Sequence, residues 1–267
     1  MAKNHQEQVD VSFNAILRIT LALTAVYSGL AVADLMESID RVKPSIVVVG
    51  VFNRTSSPQF QMRGTGFIVA PGNMVATNAH VAPETLDSAT RIAFLSPTES
   101  RDSSKLRIAN VIARDRDHDL ALLAFDGPPL LPVRISNSDP VREGQSIAFT
   151  GFPIGGALGF SPVTHRGTIS SITPIAIPSG NSNQLNEKLI HQLKRGTFKI
   201  FQLDATAYPG NSGSPVFDTE TGDVIGVINM VFIKGVKESV LAQPSGISYA
   251  IPSAYLNELI RSVSGKR

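Results

Sequence analysis

No cysteine occurs anywhere in the 267-residue chain, which removes disulfides, thiolate catalysis and cysteine-based zinc sites together. A surplus of one charge is missing too. The 24 lysines and arginines stand against 22 aspartates and glutamates, and no Lys/Arg block forms a phosphate-binding stripe, so nucleic acid is not expected as a partner. His5, His118, His165 and His191 share no ligand spacing and no H-E-x-x-H occurs, so neither a metal nor a cofactor is expected. There is no internal repeat and no low-complexity segment. The N-terminal apolar run is short: ITLALTAVYSGL spans only Ile19 to Leu30, against the roughly 20 residues a membrane-spanning helix needs. It follows Arg18 and precedes Ala31-Val32-Ala33, a small-x-small pattern. Residues 1–33 therefore read as a secretory signal, with export to the periplasm or the exterior and no stable membrane insertion after cleavage. Glu7 and Asp10 make an untidy lead, which leaves a buried N-terminal helix, or an uncleaved anchor reaching back through Phe13–Leu17, as other readings.

What is present is apolar and strand-like. With 42% hydrophobic and 17% charged residues, the chain can fill one large domain or two small ones. From Ser45 on, short runs rich in Val, Ile and Phe alternate with Gly, Pro, Asn, Asp and Ser, which predicts an all-β fold. Six runs fall at 45–52, 64–70, 73–79, 91–95, 107–113 and 120–125, and six more at 146–152, 163–172, 198–205, 214–217, 223–232 and 246–251. Six and six suggest two closed β-barrels, since closure removes exposed strand edges. The bridge PPLLPVRISNSDP at 128–140 would join a barrel at 34–135 to a second at 136–267. A C-terminal helix is expected from Leu256, Leu259, Ile260 and Val263, with Pro252-Ser253 before it and Gly265 beyond it, packing on the second barrel. Leu185, Leu189 and Leu193 predict another helix over 182–195, either a surface insertion or, less expectedly, a lid or subunit contact.

Three stretches carry chemistry: VATNAHVAP with His80, RDRDHDLALLAF with Asp119, and PGNSGSP with Ser212. A serine hydroxyl is a poor nucleophile until a neutral imidazole takes its proton, and a carboxylate must hold that imidazole's tautomer and stabilise the imidazolium. Asp115 and Asp117 compete with Asp119, and strand alternation would place Asp117 on the same face and His118 opposite. Asp119 is preferred because the apolar run starts directly after it. The order His, Asp, Ser excludes an α/β-hydrolase, since no histidine follows Ser212 and GNSGS lacks the last Gly of G-x-S-x-G. A subtilisin order would need an acid from Asp10, Asp34 or Asp40, in or beside the presumed signal.

GTGFIVAPGNMVATNAHV, DLALL, GFPIG, THRGTISS, DATAYPGNSGSP and VIGVINMVF with GISYAIPS together resemble the protease domain of the HtrA/Deg branch of chymotrypsin-fold serine proteases, from about Ile39 to about Leu259. The resemblance implies a chymotrypsin-like double β-barrel that hydrolyses peptide bonds, with His80 as general base, Asp119 as orienting acid and Ser212 as nucleophile. It implies an oxyanion hole made by the backbone N–H groups of Gly210 and Ser212. It lines the specificity pocket with 205–209, Ile228, Asn229 and Met230, and the neighbourhood of Ser248. Thr206 stands where trypsin-like relatives place the acid that recognises Arg or Lys, so small or medium aliphatic side chains are expected before the scissile bond. Asn211 replaces the Asp that zymogen-activated relatives use to receive a new N-terminus. Ser214 replaces the family's usual Gly and adds bulk beside the nucleophile. Trimers are common in that family, though no residue here demands a homo-oligomer, and the 15 residues after Pro252 leave no room for its PDZ domain. The expected substrates are exported or misfolded polypeptides. A non-catalytic, chaperone-like peptide binder and an esterase on the same machinery are the alternatives.

Overall fold

The computed structural model describes residues 35–96, 105–136, 141–154, 159–174, 198–229 and 246–265. Among the described residues twelve strands fill the two expected sets of six. The first barrel is β1 (Ile46–Asn53), β2 (Phe60–Val69), β3 (Met74–Asn78), β4 (Thr90–Ser96), β5 (Lys105–Asp115) and β6 (Leu120–Phe125), closed in the order β1-β2-β3-β6-β5-β4. The second is β7 (Ser146–Gly151), β8 (Val163–Pro174), β9 (Lys199–Asp204), β10 (Pro215–Asp218), β11 (Val224–Ile228) and β12 (Ile247–Pro252), closed in the order β10-β11-β12-β9-β8-β7. All named strand pairs are antiparallel. The β-branched and aromatic runs suit this pleated, closed geometry, where one face of each strand meets the barrel interior.

The strand ends depart from the sequence reading in ways that matter for chemistry. β3 stops at Asn78, and β5 and β6 are joined by a turn at 116–119. His80 therefore follows its strand within a turn, and Asp119 closes a turn instead of opening a strand. The alternation expected across Asp117, His118 and Asp119 does not apply there. Ile112 is the extra residue of a bulge in β5, where Val111 faces Leu123 and Ala113 faces Leu122, and such a bulge redirects the strand just before that turn.

Helix α1 (Leu35–Val42) precedes the first barrel and was not expected from the sequence. It buries Ser38 and Val42, and the Ser38 hydroxyl donates to the carbonyl of Thr219 in the second barrel at 3.0 Å. Helix α2 (Ser253–Ser264) buries Leu256 and Leu259. Its contacts extend further than expected: it packs on β11 and β12, and also on β5 and β6 of the first barrel. Tyr255 of α2 stacks on His118 with centroids 3.8 Å apart, and Phe198 meets the same ring edge-on at 4.5 Å. One apolar cluster runs through both barrels, from Ile46, Phe67 and Leu122 to Phe217, Val227, Leu256 and Leu259. Two smaller clusters fill the individual barrels. The barrels and helices belong to one compact unit, Asp34–Arg267. Among the described residues no helix is long and apolar enough to cross a membrane. The signal reading at 1–33 and the helix expected at 182–195 lie outside the described residues.

Candidate active site

His80 sits where β3 gives way to a turn, and the turn is anchored on two sides. Val81 and Ala82 are buried in the first barrel. The Arg114 guanidinium, leaving β5 just past the bulge, donates to the carbonyls of Ala79, Ala82 and Pro83. Three carbonyls that no ladder uses are thus satisfied by one cation. Across the turn stands Asp119, held in left-handed backbone conformation at φ 53°, a region in which Asp is one of the better-tolerated residues. This conformation lets the residue bond in both directions. Its carbonyl accepts from Ala79 N–H at 3.0 Å and from Asn78 Nδ2 at 3.1 Å.

The Asp119 carboxylate grips His80 at two points. Oδ1 accepts from the His80 amide at 2.9 Å, and Oδ2 lies 2.6 Å from His80 Nδ1. A proton on Nδ1 fits this contact, and that tautomer keeps Nε2 as an acceptor. Asn229 Nδ2 donates to the same Oδ2 at 2.8 Å. This bond crosses from the second barrel to the first.

Ser212 lies on the loop between β9 and β10, where a sequence of peptide planes alternates in direction. The carbonyl of Pro209 accepts from Ile154 N–H at 2.7 Å, that of Gly210 from Thr65 Oγ1 at 2.8 Å, and that of Asn211 from Ser214 N–H at 2.9 Å. In a trans peptide the N–H points opposite to the C=O. The Asn211 amide accordingly turns inward, to the Tyr208 carbonyl at 2.9 Å, while the amides of Gly210 and Ser212 donate to no other group among the described residues. Gly210 has φ 101° and Gly213 has φ 87°. At Gly213 a Cβ would lie 2.1 Å from the Thr65 carbonyl oxygen, so only glycine fits.

Two contacts bring the histidine and serine segments together. At Gly64, a Cβ would fall 2.7 Å from a Val81 methyl and 2.8 Å from the Ser212 carbonyl, so the residue after His80 and the backbone of Ser212 abut the same glycine. The dipeptide Ile228-Asn229 serves both ends: Ile228 accepts from Gly213 N–H at 3.0 Å and donates to the Ser214 carbonyl at 2.8 Å, while Asn229 reaches Asp119. Among the described residues no hydrogen bond joins the His80 ring to the Ser212 hydroxyl. Ser212 is 6% exposed.

The remaining expected residues are distributed differently. Ile228 is wholly buried in the core of the second barrel, and the Asn229 side chain is committed to Asp119. Thr206 is half-buried in a segment braced by Ser248, whose hydroxyl accepts from Ala207 N–H at 2.8 Å and donates to the Ala205 carbonyl at 2.7 Å. Met230 lies outside the described residues. Ser214 finds its space at Gly151, where a Cβ would lie 2.0 Å from Ser214 Oγ, 2.8 Å from Asn211 Oδ1 and 2.9 Å from Thr65 Oγ1. The Asp115 carboxylate pairs with His118 at 2.6 Å. Burial pushes its pKa up, but hydrogen bonds from the His118 ring and amide outweigh this and hold it below the usual value. Asp115 is thus already engaged, and Asp117 is exposed. Among the described residues no cluster of three His, Asp or Glu side chains could hold a metal ion. Thr65, Arg114, Ile154 and the true partner of Asn229 were not found from sequence. The glycines on either side of Thr65 are a sequence signal that could have pointed to close approach there.

A family model for the trypsin-like peptidase domain matches residues 64–227. A protein of Pseudomonas savastanoi pv. phaseolicola named "Probable periplasmic serine endoprotease DegP-like" is 30% identical over 193 residues, covering 72% of this chain and 33% of the relative. A protein of the same name from Pseudomonas fluorescens is 29% identical over 192 residues, covering 72% and 33%. The chain thus spans about a third of the length of the curated relatives it matches. Among solved structures, the HtrA-type protease AlgW with tripeptide superposes with a TM-score of 0.59 at 22% identity, over 86% of this chain and 63% of that one.

Proposed function

This chain belongs to the family of trypsin-like peptidase domains, and on that premise we propose that it is a serine endopeptidase of the HtrA/Deg type with His80, Asp119 and Ser212 as its triad. Ser212 Oγ attacks the scissile carbonyl while His80 Nε2 takes the hydroxyl proton. Asp119 holds Nδ1–H and faces the imidazolium that results. The carbonyl oxygen becomes an oxyanion, met by the N–H groups of Gly210 and Ser212, whose charge-directed bonds are worth most where water is excluded. His80 then returns its proton to the leaving amine, and water, activated by the same ring, cleaves the acyl-enzyme. The observation that best supports this is the two-point grip of Asp119 on His80. Asp115 grips His118 in the same way, but only His80 lies on a turn whose next residue, Val81, abuts the same glycine as the Ser212 backbone.

The names of the relatives support an extracytoplasmic location, as does the apolar run before Ala31-Val32-Ala33. The natural substrates are exported or misfolded polypeptides. Cleavage follows small or medium aliphatic residues, with Thr206 in place of a basic-residue receptor. The decisive test is fluorophosphonate labelling and casein hydrolysis by the wild type and Ser212→Ala. The wild type should label and cleave, and the variant should lose labelling and about 10⁶-fold in turnover. Casein binding without hydrolysis in both proteins would replace the protease reading with a chaperone-like binder.

A further inference from the structure

The loop that offers two free amides is fixed almost wholly by main-chain bonds. The plane before Gly210 is held by the Ile154 amide, and the plane before Ser212 by the Ser214 amide. Between them lies the plane of Gly210 and Asn211, which must face the other way if both neighbours are to present N–H groups on the same side. Its carbonyl is held by a side chain, the Thr65 hydroxyl, at 2.8 Å. Glycine at 210 offers no steric resistance to rotation of that plane. The loop's own polar side chains do not help: Asn211 and Ser214 are fully buried and make no side-chain hydrogen bond among the described residues.

Thr65 is itself immobilised. It is fully buried; its amide donates to the Ser212 carbonyl at 2.8 Å, its carbonyl accepts from Thr77 Oγ1 at 2.7 Å, and its Oγ1 accepts from Phe152 N–H at 3.1 Å. Accepting from Phe152 directs the hydroxyl proton to Gly210, because an oxygen with one lone pair committed still has its single O–H to give. We propose that the Thr65 hydroxyl is a positioning group for the oxyanion hole, locking the Gly210–Asn211 peptide plane so that the amides on either side of it face the substrate carbonyl. This rests on the triad reading above and adds to it a residue from the opposite barrel that touches neither substrate nor reacting atoms.

The test uses the full chain with Thr65→Val, which keeps shape but removes the donor, and Thr65→Ser, which keeps the donor. The measurements are labelled-casein kcat and KM per titrated active site, and affinity for a valine peptide boronic acid, whose tetrahedral adduct fills the hole. Thr65→Val should lower kcat on the order of 10²-fold, the effect of a small misplacement of catalytic groups, at nearly unchanged KM. Boronate affinity should fall in parallel. Thr65→Ser should return kcat to within about threefold of the wild type. A loss of folded protein alone would reduce the titrated sites and leave kcat per site unchanged. Wild-type kcat per site in Thr65→Val, or a loss that Thr65→Ser does not rescue, overturns the proposal. Should Thr65→Val not fold, Thr65→Cys supplies a weaker donor: a reduced kcat at unchanged KM supports the role, and wild-type kcat overturns it. A wild type without Ser212-dependent hydrolysis would instead remove the functional reading, and this role with it.

Discussion

At the scale of single residues, His165 shows how burial biases a ring against protonation away from the proposed triad. Its ring stacks on Phe149 at 4.9 Å, and its Nε2 is buried with no hydrogen-bond partner among the described residues. Burial holds its pKa below the ordinary 6.5. The unfolded chain therefore takes up this proton first as the pH falls. The stability this ring contributes is complete above about 6.5 and is lost on acidification below it. His165→Phe should flatten that decline, measured as urea midpoints at several values between pH 8 and pH 5; an unchanged slope would mean that other groups carry it. The same scale shows what sequence spacing can convey. Asp119 was legible because a carboxylate at the edge of an apolar run is a half-buried carboxylate. Thr65 and Asn229 were not legible: their decisive bonds span 145 and 110 residues, and no local pattern encodes a contact that only the closed barrels create.

Elements matter here mainly where they end. Strands were readable from their β-branched and aromatic runs, yet His80 and Asp119, the two proposed triad residues of the first barrel, sit just outside strands, in turns whose hydrogen bonds come from elsewhere. The run DRDHD offered alternation to the eye, and the turn at 116–119 removed it. Arg114 is the element-level device: the bulge at Ile112 precedes it, and its guanidinium satisfies three carbonyls of the histidine turn. Arg114→Leu keeps an apolar stem but strands those acceptors, each bond to a charged donor being worth about 1.5–3 kcal/mol net of its exchange with water. Casein turnover should drop about tenfold through loss of His80 placement, while His80 and Asp119 remain present. Unaltered kcat in a variant that folds normally would show that the turn holds itself.

At the scale of the whole fold, the described residues form two barrels joined by a shared apolar cluster. Helix α2 was expected from its periodicity, but a single-face pattern cannot say which partner it meets, and it meets both barrels. Leu256→Ala opens a cavity in the cluster common to both and should cost about 2–5 kcal/mol. Hydrogen exchange followed by mass spectrometry should show peptides of both barrels losing protection together. Loss confined to the second barrel would mean that the barrels fold as independent units. The notch at Gly151 carries a lesson for recombination. The hydroxyl of Ser214 and the bare α-carbon of Gly151 behave as tooth and socket, so a chimera that imports the serine loop of a homologue without β7, or β7 without that loop, inherits half of a matched pair. Moving both halves together preserves this fit.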